Sequence, residues 1–164
     1  MPTVAILGDT HVPSRAREIP EWVRKQAEAA DHVIHTGDFD SRRAYDRVRD
    51  LSADLTAVRG NTDPNHELDL PAVATLVAGG VEFVVTHGDG RGAYDGRVVD
   101  RTRAHGGDGA VGVAGHTHRP RDDVVDGVRL LNPGSATGAN PGDVPTMIEA
   151  TAADGDLDVV FHRR

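Results

Sequence analysis

Five short segments of this sequence place an aspartate, asparagine or histidine directly beyond an apolar run that ends in Gly or Thr. Leu7-Gly8 leads into Asp9-Thr10-His11, Thr36-Gly37 into Asp38, and Arg59-Gly60 into Asn61. Val85-Thr86 leads into His87, and Ala114-Gly115 into His116-Thr117-His118. The set is two Asp, one Asn and four His, and the chain has no cysteine, so any cation here must be held by nitrogen and oxygen. Seven donors are too many for one tetrahedral ion with an open position and suit two ions that share a ligand. Their chemistry fits Mn²⁺, Fe, Zn²⁺ or Ni²⁺ better than Ca²⁺, which prefers oxygen alone. A carboxylate bridges two cations with its two oxygens, and two-metal hydrolytic sites hold their ions roughly 3.5–4 Å apart. Such a pair acidifies water and neutralises charge on a phosphoryl group, so phosphate-ester hydrolysis gains most from it.

Each segment alone has an ordinary structural explanation. Asp-Thr-His can cap a turn, His87 can be a satisfied core histidine, and Asn61 before Thr62-Asp63-Pro64 is a common turn residue. The recurrence of all five, each after an apolar run, is what points to a site. His32, His35, His66, His105 and His162 lack that context and are assigned to strand, loop or surface.

For the seven side chains to meet, their segments must end at one rim of a sheet. Residues 4–7, 32–35 and 55–58 are short runs rich in β-branched residues, each followed by glycine soon after. Between them lie two stretches with apolar residues at helical spacing. The first is 19–31, with Pro20 in its first turn. The second is 42–51, with Ser41 or Asp40 as N-cap. Strand, helix, strand, helix, strand predicts a parallel sheet with right-handed crossovers. In open α/β sheets ligands bind beyond the carboxyl ends of the strands, where these seven donors fall. After residue 70 the pattern changes to hairpins: 75–78 with 81–85 about Gly79-Gly80, 124–125 with 128–131 about Asp126-Gly127, and 147–150 with 157–161 about Asp154-Gly155. One more helix is predicted over 94–104.

The 164 residues are expected to form one domain, 1–164, large enough for a real core. Twenty Asp and six Glu face seventeen Arg and one Lys, for a net charge of -8. An acidic surface repels phosphate backbones, which argues against bulk nucleic-acid binding. The Asp-rich, Lys-poor habit suits a salt-rich cytoplasm. The N-terminal apolar run is too short for a signal peptide or a membrane span, so a cytoplasmic location is expected, with no membrane partner. A homo-oligomer is compatible with this composition.

The ordered set Asp9-x-His11, Gly37-Asp38, Gly60-Asn61, His87 and Gly115-His116-x-His118 resembles the calcineurin-like metallophosphoesterase superfamily. The Gly60-Asn61-Thr62-Asp63 form of the third motif, and the later Asn132-Pro133-Gly134-Ser135, are similar to those of its small, single-domain prokaryotic phosphodiesterases. The resemblance implies an α/β fold: a four-layer αββα sandwich with two mixed β-sheets packed face to face. It implies that Asp9, His11, Asp38 and His118 bind one divalent metal. Asp38, Asn61, His87 and His116 would bind a second, with Asp38 as the bridge. Mn²⁺ is the metal expected, with Ni²⁺, Fe²⁺ or Zn²⁺ as alternatives. The activity implied is hydrolysis of a small phosphate ester, a phosphodiester above all, by a hydroxide bridging the metals. Asn61 would lie close to a substrate oxygen, and Ser135 would contact phosphate.

The sequence departs from the superfamily at one position. Many members carry a histidine immediately after the metal-binding Asn, where it can protonate the leaving group. Here that place is taken by Thr62, a candidate substrate contact, followed by Asp63. A threonine hydroxyl is a poor general acid at neutral pH. Asp63 is the candidate catalytic acid, provided its pKa is raised. Esters with acidic leaving groups are therefore expected to react faster than alkyl monoesters. Two other functions use the same fold. One is a protein-interaction scaffold like the retromer subunit, where lost catalysis shows as a lost ligand; none of the seven is missing here. The other is a nuclease or cyclic-nucleotide hydrolase, and for polymers the acidic chain argues against it. Arg91, Arg97, Arg101 and Arg103 follow His87-Gly88-Asp89-Gly90. They form either a basic face near the site or, as favoured, a solvated helix whose Arg residues pair with Asp.

Overall fold

The computed structural model describes residues 1–52 and 54–164. In chain order, β1 (Thr3–Leu7), α1 (Glu21–Ala29), β2 (His32–His35), α2 (Arg42–Leu51) and β3 (Leu55–Ala57) make the expected crossovers, and the three strands pair in parallel. There follow β4 (Val73–Ala78), β5 (Val81–Thr86), α3 (Tyr94–His105), β6 (Val111–Ala114), β7 (Arg121–Val125), β8 (Val128–Asn132), β9 (Thr146–Ala153) and β10 (Asp156–Arg163). One sheet has the order β10-β9-β1-β2-β3 and the other β4-β5-β6-β8-β7. Both are mixed. β9 runs antiparallel to β1 and β10, while β5, β6 and β8 are parallel between the antiparallel edge strands β4 and β7.

Strand periodicity explains the layering. On β1, Val4 and Ile6 point inward with Ile34 and Ile148, where they meet Phe83, Val85, Val113 and Leu131 of the other sheet. Ala5 and Leu7 point outward with Val33, against Val23 and Ala27 of α1 and Ala44 and Val48 of α2. Val98 and Val99 of α3 cover Ala114 and Leu130 on the far side. Helices, two sheets and a helix give the αββα sandwich. Strands buried on both faces read as continuous apolar runs, as Val4 to Leu7 of β1 and all of β6 do.

Several boundaries differ from those expected. α1 starts at Glu21, because Pro20 is its N-cap rather than its first turn and Ile19 is buried beneath. At α2 the cap is Ser41, whose Oγ accepts from the Ala44 N–H at 3.1 Å. All three hairpins turn on paired residues with positive φ: Gly79-Gly80, Asp126-Gly127 and Asp154-Gly155. Among the described residues no helix is long and apolar enough to cross a membrane.

The register brings the strand ends level. Leu7 pairs with His35 and His35 with Ala57 in the first sheet, and Thr86 pairs with Ala114 in the second. The carboxyl ends of β1, β2, β3, β5 and β6 therefore release their next residues at one rim.

Candidate metal centre

All seven expected donors converge there. His11 Nε2 lies 3.2 Å from His118 Nε2 and 3.4 Å from Asp38 Oδ2, and His118 Nε2 lies 3.6 Å from Asp9 Oδ1. On the other side, His87 Nε2 is 3.1 Å from Asp38 Oδ2 and 2.9 Å from Asn61 Oδ1. His116 Nδ1 is 3.1 Å from Asn61 Oδ1 and 3.3 Å from His87 Nε2. Asp38 Oδ2 thus stands between two groups of donors, while its Oδ1 accepts the Thr62 N–H at 2.9 Å.

The outer contacts fix which atoms face inward. His11 Nδ1 meets the Asp40 carboxylate at 3.0 Å, His87 Nδ1 donates to Thr36 O at 2.8 Å, and His118 Nδ1 donates to Ala139 O at 2.8 Å. In its neutral form, with the proton on Nδ1, each ring would turn an Nε2 lone pair toward its neighbours. His11 and His118 would then face each other lone pair to lone pair. Asp9 Oδ1, fully buried, has no hydrogen-bond partner among the described residues. This array is rich in acceptors and poor in donors, and a cation is the species that satisfies it. The spacing also fits, since ligands at about 2.1 Å in octahedral geometry stand roughly 3 Å from one another. Among the described residues, Asp9, His11 and His118 form one group of clustered ligand atoms and Asp9, Asp38 and His87 another.

Electrostatics agree with that need for positive charge. Burial pushes the Asp9 carboxyl up to about 7, partly countered by His87. Burial works to lower the His87 imidazole, but its hydrogen bond to Asp38 and the charges of Asp9 and Asp38 hold it up at about 9. Burial likewise opposes ionisation of Asp38, yet His87 and the Thr62 N–H keep this carboxyl well below the usual range.

The backbone turns sharply to aim these side chains. Asp9, His11, Asp38, His116 and His118 all have positive φ, between 46° and 73°, as does Asp40 at 79°. That conformation is uncommon outside glycine, and Asp and His tolerate it better than most residues. It explains how His116 and His118, one residue apart, reach opposite sides of one cluster. Gly60 is required for a different reason: a Cβ there would lie 2.0 Å from Asp38 Oδ1 and 2.3 Å from the Asp38 backbone N.

The expected catalytic and substrate residues beyond the ligands are placed behind the cluster. Asp63 is buried, and its carboxylate accepts the N–H groups of Asp38 (2.9 Å), Phe39 (2.7 Å), Asp40 (2.9 Å) and Gly60 (2.8 Å). Burial raises its pKa, while those four donors favour the ionised form. Both oxygens are thereby engaged with backbone. The Thr62 hydroxyl donates to Asp40 Oδ1. Ser135 is buried, donating to Asp9 O at 2.7 Å and accepting the Ala139 N–H at 2.9 Å. It thereby joins the Asp9 turn to the carbonyl that orients His118.

Three residues outside the seven donors brace the site. Asp40 gathers His11, Ser14 and Thr62; its nearness to Asp38 in the sequence was the one available signal. Asn132 is buried and donates to Gly115 O and Thr117 Oγ1, bracing the turn that carries His116 and His118. His35 accepts the Gly37 N–H at 3.1 Å and stacks on Phe39, and burial lowers its pKa to about 3, so it is a neutral brace for the Asp38 turn. Of the arginines after His87, Arg97 and Arg101 match neither sequence reading, while Arg103 donates to Asp126 O. Arg97 donates to the carbonyls of Gly88, Arg91 and Gly92, and Arg101 to Asp89 O and Thr86 Oγ1. They clamp the loop that follows β5.

Residues 3–155 match the profile described as the calcineurin-like phosphoesterase superfamily domain. The chain belongs to that superfamily. A probable metallophosphoesterase of Methanocaldococcus jannaschii is 34% identical over 134 residues, 82% of this chain and 68% of the relative. A second, from Methanothermobacter thermautotrophicus, is 31% identical over 136 residues, 82% of this chain and 77% of its own. Among solved structures, Vps29 of Chaetomium thermophilum aligns with a TM-score of 0.82 at 21% identity over 99% of both chains. Vps29 of Entamoeba histolytica, solved with Zn²⁺, aligns at 0.79 and 25% identity over 99% of this chain and 98% of that one.

Proposed function

We propose that this protein is a phosphodiesterase that works with two divalent metal ions. Asp9, His11 and His118 would hold one ion and Asn61, His87 and His116 the other, with Asp38 serving both. The carrying observation is Asp38 Oδ2, which lies 3.4 Å from His11 Nε2 and 3.1 Å from His87 Nε2 while Oδ1 is tied to the Thr62 N–H. Bound there, two cations would supply acidified water and neutralise charge on the phosphoryl group. Mn²⁺ is our choice of metal, with Ni²⁺, Fe²⁺ or Zn²⁺ able to substitute.

The chain's own residues perform the positioning. Asn61 is exposed, so its amide meets the substrate on the open side of the cluster. Asp63 holds Gly60 and the 38–40 turn in register and thereby sets where Asn61 sits; it acts through position, not as a proton donor. Ser135 likewise positions Asp9 and His118. With the Thr62 hydroxyl given to Asp40 and Asp63 engaged by four N–H groups, neither is free to protonate a departing oxygen. Diesters with acidic leaving groups are the substrates this arrangement suits.

The test is an activity screen of metal-stripped protein with Mn²⁺, Ni²⁺, Zn²⁺ or Mg²⁺ added back, using an aryl diester and an alkyl monoester. Activity should return with metal and favour the aryl diester. Asp38→Asn should lower it by more than roughly 100-fold, beyond the usual loss from an outer-layer change. Equal rates on both esters would remove the diesterase assignment. A second reading, a protein-binding module, draws on the Chaetomium thermophilum Vps29 of this fold, solved with a cyclic peptide. An inert protein under every metal would favour that reading, although all seven donors are retained here.

A further inference from the structure

The cluster is closed on one side and open on the other. Asp9, His11, Asp38, His87 and His118 are buried, whereas Asn61 is exposed and His116 half-buried. From His116 the open side continues into a groove of about 640 Å³ lined by Tyr94, Thr117, Arg119, Pro120, Arg121 and Pro141. That volume lies within the range of small-molecule sites.

Hydrogen bonds and prolines brace the groove's wall. Asn132 Nδ2 donates to Thr117 Oγ1 at 2.9 Å and Gly115 O at 3.1 Å, and the Tyr94 hydroxyl donates to Gly115 O at 2.8 Å. Pro120 and Pro141 have fixed φ. A wall already ordered loses little entropy when a ligand settles against it.

Its two guanidinium groups differ. Arg121 is committed, donating to Asp95 Oδ2 at 2.9 Å and to Asp123 Oδ2 at 3.2 Å. Arg119 is exposed, and among the described residues its side chain has no hydrogen bond or ion pair, although the chain carries a net charge of -8. A free cation is thus kept one residue from His118 and in the same groove as His116.

We infer that this groove takes the organic arm of the substrate diester and that Arg119 selects an arm bearing a further anionic group. A nucleoside phosphodiester carrying a second phosphate has that size and charge. The inference rests on the phosphodiesterase reading for the reacting centre, while the groove itself makes a claim about binding. Arg119 approaches the second phosphate through paired N–H donors, the geometry guanidinium groups favour for oxyanions.

Thymidine 5′-(p-nitrophenyl phosphate) and its 3′-phosphorylated counterpart differ by that one group. With metal-loaded protein, the 3′-phosphorylated ester should have a KM lower by about fivefold, as for a single solvent-accessible ion pair. The advantage should fade as NaCl rises. Arg119→Ala should abolish the difference. A readout independent of turnover is calorimetric titration with thymidine 3′,5′-bisphosphate against thymidine 5′-monophosphate. Tighter binding of the bisphosphate, lost in Arg119→Ala, supports the groove. If that preference is seen but neither ester is hydrolysed under any metal, the catalytic reading falls and the groove stands. Equal binding of the two nucleotides, or an Arg119→Ala loss equal for both, overturns the groove.

Discussion

Asp40 stands directly behind His11, with its carboxylate 3.0 Å from Nδ1 and the hydroxyls of Ser14 and Thr62 on its oxygens. An ionised partner on Nδ1 makes the opposite nitrogen a better electron donor and locks the tautomer that leaves Nε2 bare. Hydrogen bonds from His11, Ser14 and Thr62 outweigh burial and hold the Asp40 carboxyl below its ordinary pKa, so it stays charged at neutral pH. Asp40→Asn should therefore weaken metal binding by about 10–100-fold while leaving the fold intact. Competition against a chelator measures this, with Asp46→Asn on the exposed face of α2 as control. An affinity unchanged in Asp40→Asn would show that His11 needs no such partner. The convergence of the seven candidate ligands was legible because each follows an apolar run and carries donor chemistry. Asp40 was not, because its role depends on a positive φ that turns the side chain back toward His11. Asp63 shows the converse. Its place after Asn61 and Thr62 suggested an acid, yet four backbone N–H groups converge on it from turns that the sequence does not place in space.

Loops, more than strands, carry the precision of this site, and they are held by contacts between elements. In the loop holding glycines 88, 90 and 92, α3 binds the carbonyls of Gly88 and Gly92 through Arg97 and that of Asp89 through Arg101. The glycines were visible in the sequence; the direction of the arginines was not, because helical spacing gives a face and not the loop lying against it. One close approach is between the turns after β2 and β3. Ala in place of Gly60 would put a methyl group 2.0 Å from Asp38 Oδ1, so one of the two turns must move. Gly60→Ala should cost about 1–3 kcal/mol, as overpacking does elsewhere, and should abolish tight metal binding by displacing Asp38. Thermal melts and metal titration of the variant measure both; wild-type affinity would mean that the turns are not rigidly spaced. Strand lengths were legible in part. β9 and β10 extend beyond the runs expected because Ala152 and Ala153 pair with Leu157 and Asp156 at one end, and Thr146 with Arg163 at the other. Ala152 is buried but carries little hydrophobic signal.

At the scale of the whole molecule, protons and metal ions compete for one buried cluster, and folding stability registers the competition. In metal-free protein Asp9 has its pKa raised from 3.8 to about 7, mainly by burial. Its contribution to stability is then present below the unfolded value and lost as pH rises through about 7. His87 is raised from 6.5 to about 9 by Asp38 and Asp9 against the effect of burial, so its contribution persists to higher pH and is lost through about 9. Both groups make the metal-free fold weaker toward alkaline pH. With Asp9 and His87 as ligands, metal binding would require Asp9 ionised and His87 neutral, so affinity should rise across the same window as their protons are released. The two trends reinforce each other: the rise in Tm produced by saturating Zn²⁺ should be small near about pH 5.5 and large near about pH 8.5. Melting curves with and without metal give the difference directly. Calorimetry in buffers of differing ionisation enthalpy should show net proton release that falls as pH approaches about 9. A metal-induced gain in Tm that stayed constant over this range would mean that Asp9 and His87 hold no proton the metal must displace, and the paired cluster would lose its strongest electrostatic support.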